Sequence, residues 1–298
     1  MRPAHLAETL LLRGMVGLLN TLPRAGALAC GADLGSLVAS LGVRRRVARA
    51  NLALAFADRD AAWRERLLAE HYRELGRIVA DYARLPRLVR APRAELFARW
   101  SGEEHAHAAR ARGNGVIFLT GHFGNFELYG AAMGKVMPMS ALVKPLSNPG
   151  ADAWVRRMRT ACGVQLLPTG AGVRGVVRLL RAGGSVAMLG DQDARRDGVF
   201  VPFFGRLAST PVGPAWLSLA TGAPIVFGTC LREPDGRYAA ELLPPLMPEG
   251  RPDDPEAIRA LTARHTEMLE QAVRRRPESW FWLHKRWKTA APAAAGGQ

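Results

Sequence analysis

Cysteine is scarce in this sequence of 298 residues. Its three cysteines, Cys30, Cys162 and Cys230, lie far apart and form no CxxC pair. An odd number of isolated cysteines argues against a disulfide framework and against a zinc knuckle, and it is typical of a reducing compartment. Cysteines in such a setting usually serve as small buried apolar side chains.

The sequence also lacks an uninterrupted run of about 20 apolar residues, the length that a membrane-spanning helix requires. Residues 6–43 are mostly apolar but are interrupted by charged residues and by Pro23. No clean cleavage site follows a short apolar stretch, which argues against a signal peptide. We predict that residues 1–43 form membrane-associated helices lying on or partly in a bilayer, followed by the basic run at 44–46. An ordinary hairpin of core helices is the alternative.

Acidic residues are in the minority, since 26 Asp and Glu stand against 41 Lys and Arg, a formal charge of +15. Such a balance favours polyanionic partners, namely nucleic acid, an anionic membrane surface or an acidic carrier protein. The sequence has no RNP motif, helix-turn-helix signal or zinc finger, so we predict no nucleic-acid partner. A non-catalytic basic membrane-binding protein is the alternative to an enzyme.

Apolar runs and helical stretches alternate from residue 116 onwards. Strands are predicted at 115–120, 140–144, 163–168, 185–190, 224–231 and 238–243, with helices at about 125–136, 150–161, 171–182 and 212–221. Continuous apolar strands separated by helices indicate an α/β fold with a mainly parallel central sheet covered by helices. We predict three regions: membrane-associated helices at 1–43, an α/β domain with a helical lead-in at 44–288, and a disordered tail at 289–298.

The stretch GHFGNFE at 121–127 carries the strongest chemical signal. His122 follows a buried strand directly, and ligands of parallel sheets bind beyond the carboxyl ends of the strands. Asn125 is predicted to cap the next helix, which puts Glu127 in the first turn, from where its carboxylate can reach the imidazole. A carboxylate on one ring nitrogen makes the other nitrogen an effective general base. A histidine that is merely hydrogen-bonded at a strand end is the structural alternative.

No nucleophile accompanies this base. The sequence has no G-x-S-x-G elbow, and the nearest echo, GGSVA at 183–187, leads into a strand instead of leaving one. We therefore predict direct transfer, in which His122 removes a proton from an acceptor hydroxyl that attacks an activated acyl group. A thioesterase that uses water as its acceptor would need the same base.

Further polar residues follow other predicted strands. Lys144 closes one strand, and Asp191 and Gln192 follow another, where they can bind substrate. Asp191 and Asp193 lack the further histidine or carboxylate ligands that would complete a metal site. We therefore predict neither a metal nor a cofactor.

Two aromatic stretches follow in the second half of the chain. The stretch GVFVPFFG at 198–205 is predicted to be a loop whose phenylalanines either line an acyl groove or belong to the core. The stretch ESWFWLHKRWK at 278–288 places three tryptophans among basic residues, which is typical of a membrane interface.

Taken in order, these stretches resemble the bacterial late acyltransferases of lipid A biosynthesis, within the glycerolipid acyltransferase-like superfamily. The resemblance covers about residues 10–290 and is carried by ANLALAF, GHFGNFE, VKPLSNP with a following Arg-x-x-Arg helix, GDQDARRDGVFVPFFG, STPVGPAWLSLATGAPIV and WFWLHKRWK. It implies that His122 and Glu127 form the catalytic dyad and that Arg159 is the family's basic residue for acceptor phosphate or transition-state charge. It also implies that GDQD is the third block of the site.

The resemblance implies the substrates as well. In that family, the donor is a fatty acyl thioester on acyl carrier protein. The acceptor is a hydroxyl on a 3-hydroxyacyl chain of a Kdo-bearing lipid A precursor, at the cytoplasmic face of the bacterial inner membrane. Related enzymes acylate phosphatidylinositol mannosides, and these tend to carry tryptophan and aspartate in the first block, where this chain has Phe126 and Glu127. We therefore expect a lipid A precursor as acceptor, with another glycolipid as the alternative.

Overall fold

The computed structural model describes residues 3–143, 145–168 and 172–292. The helices in these residues are α1 (Pro3–Thr21), α2 (Arg24–Ser40), α3 (Arg45–Ala55), α4 (Ala61–Ala83), α5 (Leu85–Arg90), α6 (Arg93–Leu96), α7 (Glu103–Ala111), α8 (Phe126–Val136), α9 (Pro149–Ala161), α10 (Gly172–Arg181), α11 (Gly213–Thr221) and α12 (Pro255–Arg275). The strands are β1 (Phe97–Ser101), β2 (Val116–Thr120), β3 (Ser140–Val143), β4 (Gln165–Pro168), β5 (Ser185–Leu189), β6 (Gly198–Phe203), β7 (Arg206–Pro211), β8 (Ile225–Arg232) and β9 (Tyr238–Leu242). Of the tail predicted at 289–298, residues 293–298 lie outside the described residues.

Seven of these strands form one sheet in the order β1-β9-β8-β2-β5-β3-β4. Neighbouring strands are parallel except for β8 and β9, which are antiparallel. All five residues of the central strand β2 are buried. Because helices surround the sheet, β2 is a continuous apolar run instead of an alternating one. The strands and helices predicted from residue 116 onwards to residue 190 are present, and they confirm an α/β fold with a mainly parallel sheet.

The stretch 198–211 forms the antiparallel hairpin β6–β7, so the prediction of a loop there is wrong. The turn lies at Phe204 and Gly205, whose φ angles of 53° and 69° are the left-handed values of a two-residue hairpin turn. Proline suggests a loop in the sequence, but Pro202 sits in a two-stranded ribbon, where proline can occupy an edge position.

Two of the three tryptophans at the C-terminal end are buried, so the prediction of a membrane interface is wrong for these two. Trp280 and Trp282 are 1% and 0% exposed, and their rings meet edge to face at 4.6 Å. Trp280 also packs on Phe203, and Trp282 packs on Phe204. The hairpin and the C-terminal segment therefore bury each other's aromatic rings, and Phe203 and Phe204 belong to the core and not to a groove.

A buried charge network fastens the N-terminal helices to the sheet. Asp81 on α4 accepts hydrogen bonds from Arg24 of α2, from Arg232 of β8 and from the hydroxyl of Tyr238 on β9. The same tyrosine hydroxyl accepts a hydrogen bond from the Asn125 side chain, 2.9 Å away. Since a buried carboxylate is costly unless it is paired, this network fixes the position of α4 relative to the strands.

Helices α1 and α2, together with Leu41 that caps α2, expose large apolar side chains. Leu11 is 75% exposed and Leu41 is 71% exposed, and Leu10 and Leu37 are more than half exposed. Among the described residues, no single helix has both the length and the apolar composition to cross a membrane; α2 and α3 meet these criteria only as a pair bent by 94°.

Candidate active site

The register of two neighbouring parallel strands brings His122 and Asp191 together. Thr120 at the end of β2 pairs with Leu189 at the end of β5, and the Gly190 N–H donates to the Thr120 carbonyl at 3.2 Å. His122 and Asp191 each lie two residues beyond these paired strand ends. The two side chains therefore meet at the carboxyl edge of the sheet, where ligands of such sheets bind.

Asp191 accepts three hydrogen bonds that orient it toward the imidazole. Its Oδ1 lies 2.8 Å from His122 Nδ1, and its Oδ2 accepts from the His122 backbone N–H and from Trp280 Nε1, both at 2.9 Å. The Asp191 side chain is 2% exposed, whereas that of His122 is 27% exposed. The carboxylate is thus buried behind the imidazole, and the imidazole reaches solvent.

The two groups shift each other's pKa. Burial acts to lower the pKa of His122, but the charge of Asp191 and its hydrogen bond outweigh burial, so the pKa is raised above the ordinary 6.5. Burial acts to raise the pKa of Asp191, but the pairing with His122 outweighs it, so that pKa lies below the ordinary 3.8. Asp191 is therefore charged at neutral pH, and its charge stabilises the protonated imidazole.

Glycines make the close approach of these segments possible. A Cβ at Gly121 would lie 3.2 Å from the Asp191 side chain, tighter than ordinary contact. Gly124 has a φ of 58°, and a Cβ there would collide with the Cys230 carbonyl oxygen. Asn125 caps α8 by accepting a hydrogen bond from the Leu128 N–H at 3.0 Å, which confirms the predicted cap.

Glu127 lies in the first helical turn as predicted, but its carboxylate does not reach the imidazole. The carboxylate instead forms a two-point ion pair with Arg159 of α9, with Arg159 Nε donating at 2.9 Å and Nη2 closer still. It makes no hydrogen bond to the His122 ring; that contact belongs to Asp191. The charge of Glu127 nevertheless contributes to the raised pKa of His122.

The remaining predicted site residues divide into one that joins the site and one that lies outside the described residues. The Gln192 amide nitrogen is 3.5 Å from His122 Nε2, on the side of the ring away from Asp191. Lys144 lies outside the described residues.

Two further residues of the site come from the C-terminal segment. Trp280 donates to Asp191, and the Phe281 N–H donates to the His122 carbonyl at 3.0 Å. The rings of Phe281 and Phe126 flank the imidazole, with centroids 6.1 Å and 5.3 Å away. No spacing in the sequence indicates these contacts of the C-terminal segment, because Trp280 is 89 positions from Asp191 and Phe281 is about 160 positions from His122. The WFW pattern is the signal that could have pointed to them.

A cavity of about 210 Å³ is lined by Phe126, whose ring contacts the imidazole edge to face, and by Glu127. Its walls come mainly from β2, β3, β5, α8 and α9 and are mostly apolar, and the lining residues with polar groups are Thr120, Glu127, Tyr129 and Arg159. The Glu127–Arg159 ion pair therefore borders an apolar space next to the imidazole. Among the described residues, no group of three or more histidine, cysteine or acidic side chains is arranged to hold a metal ion.

A partly exposed imidazole held by a buried carboxylate, near an apolar cavity at the edge of a parallel sheet, is an arrangement that can perform general-base chemistry. The chain belongs to the bacterial lipid A biosynthesis acyltransferase family, whose model matches residues 4–289. It is therefore an acyltransferase of that family.

Several relatives resemble the chain over most of its length. It is 30% identical over 248 residues to the lipid A biosynthesis palmitoleoyltransferase of Escherichia coli (strain K12), covering 83% of this chain and 79% of the relative. It is 27% identical over 285 residues to the lipid A biosynthesis lauroyltransferase of the same organism, covering 93% and 90%. It is 27% identical over 251 residues to the phosphatidylinositol mannoside acyltransferase of Mycobacterium tuberculosis (strain ATCC 25618 / H37Rv), covering 80% and 76%.

Proposed function

We propose that the protein moves a fatty acyl chain from the thioester of acyl carrier protein to a hydroxyl of a lipid A precursor, with His122 as the general base. The observation that carries this proposal is the His122–Asp191 pair beside the apolar cavity. Among the described residues, the Gln192 amide is the hydrogen-bond partner of His122 Nε2, and no serine, threonine or cysteine side chain is hydrogen-bonded to this nitrogen. The acceptor hydroxyl must then attack the thioester directly.

The reaction follows from the tautomer that Asp191 selects. Nδ1–H donates to Asp191, which leaves the Nε2 lone pair free to take the proton of the acceptor hydroxyl. The alkoxide oxygen forms a bond to the thioester carbonyl carbon, the carbon–sulfur bond breaks, and the imidazolium returns its proton to the departing sulfur. Asp191 stabilises the imidazolium between these steps, and the Gln192 amide can donate to the carbonyl oxygen as its charge develops.

Glu127 and Arg159 act together in this scheme. Their ion pair borders the cavity and is largely buried, with side-chain exposures of 14% and 24%. Burial acts to lower the pKa of Arg159, but the hydrogen bonds and charge of Glu127 outweigh it, and the pKa is raised. Because Glu127 already neutralises Arg159, we assign the pair to shaping the cavity and holding α8 against α9. In this assignment Glu127 supports the base through its charge, and Asp191 supports it through contact.

The proposed substrates draw on the family and on charge. The formal charge of +15 suits an acidic carrier protein, and the cavity suits a fatty acyl chain. The exposed leucines of α1 and α2 suit attachment to a bilayer, which we place at the cytoplasmic face of the bacterial inner membrane. Because one relative is named for phosphatidylinositol mannoside, a glycolipid of that kind is the second candidate acceptor.

The test is an acyl-transfer assay with purified protein, acyl carrier protein loaded with fatty acids of several lengths, and a tetra-acyl lipid A precursor. His122→Ala is expected to lower the rate by about 10²–10⁴, the usual contribution of a positioned base. Acylation of the mannoside but not of the lipid A precursor would move the acceptor to the second candidate. Free fatty acid formed without any lipid acceptor would identify a thioesterase, and normal transfer by His122→Ala would refute the base.

A further inference from the structure

A groove of about 320 Å³ lies between α3 and the C-terminal segment, separate from the cavity beside His122. We call it the cationic groove. It is lined by Arg46, Val47, Ala50, Asn51, Leu54, Lys285, Trp287 and Lys288.

The charged members of the cationic groove are all positive. Arg46, Lys285 and Lys288 are exposed, and none of them forms an ion pair within the part of the chain that the structure describes. Their neighbours on α3 differ, because Arg45 and Arg49 both bind Glu65. Three cations that have no ion-pair partner among the described residues therefore surround one concave surface, and they match the charge and the acceptor oxygens of a phosphate group.

One wall of the groove is tied to the catalytic group. The Asn51 side chain donates to the carbonyls of Trp282 and His284 at 2.7 Å and 2.6 Å. His284 Nε2 in turn accepts from the Asp193 N–H at 3.0 Å, and the Phe281 N–H donates to the His122 carbonyl. The segment 281–288 therefore touches the base on one side and lines the groove on the other.

The other wall, on α3, is close in the chain to exposed apolar side chains. Leu41 and Val43, which are 71% and 46% exposed, lie five and three positions before Arg46, at the junction of α2 and α3. A lipid whose chains lie along these apolar side chains would bring its headgroup to the groove. Its esterifiable hydroxyl, close to that headgroup, would face the segment that carries the site.

We propose that the cationic groove binds a phosphate on the headgroup of the acceptor lipid. This inference rests on the proposed function in taking the acceptor to be a lipid, and it adds a binding site remote from Arg159. A phosphate held there fixes the position of the headgroup relative to His122, so that one particular hydroxyl is presented to the base.

The experiment compares two double variants of the full chain with equal loss of charge. Lys285→Ala with Lys288→Ala removes cations of the groove. Arg110→Ala with Arg112→Ala removes two exposed arginines that precede β2, at the opposite edge of the sheet from His122. All four replaced side chains are exposed, so both proteins should fold, which thermal unfolding checks.

Binding is measured to phosphatidylcholine vesicles that carry the tetra-acyl lipid A precursor, either with its phosphates or after enzymatic removal of them. Wild type should bind the phosphorylated lipid about 10-fold more tightly than the dephosphorylated one, the order of magnitude of one or two exposed charge-assisted contacts. The lysine variant should lose this preference and the arginine variant should keep it. The preference should shrink in high salt, since exposed charges are screened.

Equal losses in the two double variants would overturn the inference, because they would reduce the effect to net charge. An unchanged preference in the lysine variant would overturn it as well. The inference would also be overturned if the lysine variant lost as much binding to phosphatidylserine vesicles of the same surface charge as it lost to the phosphorylated lipid, because this would indicate a general attraction to anionic membranes. Transfer activity is measured on the same preparations, so that the two proposals fail separately. Inactive wild type with an intact phosphate preference would refute the reaction and support the site, and active wild type without the preference would do the reverse.

Discussion

Replacing Asp191 with asparagine tests which carboxylate serves the base, because the substitution keeps the size of the side chain and removes its charge. Asp191 faces three donors, namely the His122 ring, the His122 backbone N–H and Trp280 Nε1. An asparagine has one accepting oxygen, so its NH₂ group must face at least one of these donors. If it faces Nδ1, the imidazole carries its proton on Nε2 instead and can no longer accept one from the hydroxyl.

The magnitude follows from the same contacts. A base in the wrong tautomer, without a charge to stabilise its protonated form, loses about 10²–10⁴ in rate, which corresponds to about 3–5 kcal/mol at the transition state. The pH dependence should change as well. The pKa of His122 is raised by Asp191, so activity in wild type should rise with pH through a value above 6.5 as the imidazole becomes neutral. Removing the charge lowers this pKa, so the inflection should move to lower pH.

The assay is kcat/KM for acyl transfer as a function of pH, with Glu127→Gln as the matched control. Glu127→Gln also removes one negative charge from the site, but it leaves the hydrogen bond between Asp191 and the ring intact. We expect a smaller shift of the inflection for Glu127→Gln than for Asp191→Asn. If Asp191→Asn retains more than about a tenth of the wild-type rate and Glu127→Gln moves the inflection further, the reasoning from geometry is refuted and Glu127 is the partner of the base.

Three further changes test the cavity, the core and the buried network. Gly130 lines the cavity, and a Cβ there meets no atom within 4 Å. Gly130→Leu should therefore fill part of the cavity and shift donor preference toward acyl chains shorter by about two carbons or more, since each buried methylene contributes about 0.8 kcal/mol. Competition between carrier proteins loaded with different acyl chains measures this preference. Burial lowers the pKa of His265 to about 3, so its stabilising effect is present above pH 6.5 and is lost as pH falls toward the folded value. Lowering the pH from 7.5 to 5.5 should reduce the unfolding free energy of wild type by about 1.4 kcal/mol more than that of His265→Leu. An equal reduction in the two proteins would contradict this. Asp81→Asn leaves Arg24 with a neutral partner and leaves Glu74 as the remaining carboxylate of Arg232. It should lower the unfolding free energy in urea by about 3 kcal/mol, the lower end of the usual cost of breaking a buried ion pair, and a change below about 1 kcal/mol would contradict the role of the network.

The elements of the sheet could be predicted because each is a local pattern. The run VIFLT in β2 is buried on both faces, and such a strand is apolar throughout. The position of His122 at the carboxyl edge follows from the same pattern, as does the cap by Asn125. These predictions depend only on residues within a few positions of one another.

The partner of His122 could not be predicted, because it depends on the register between two strands that are far apart in the chain. Glu127 is five residues from His122, and Asp191 is 69 residues from it. Only the pairing of Thr120 with Leu189 shows that Asp191 is the nearer carboxylate. The position of Trp280 could not be predicted for the same reason. Tryptophan among basic residues is typical of a membrane interface, but the Trp280 indole is buried and donates a hydrogen bond to the buried carboxylate of Asp191.

The imidazole is therefore positioned from two sides, and this links the base to the N-terminal helices. Asp191 holds its ring, and the segment around Phe281 holds its backbone carbonyl. That segment is in turn held by Asn51 of α3, which directly follows the exposed apolar face of α2 in the chain. A displacement of α3 must be transmitted to this segment, because the Asn51 amide is buried and its two hydrogen bonds have no solvent to replace them. In the proposed function, contact of α2 with a lipid surface would therefore act on an element that is two hydrogen-bonded steps from His122.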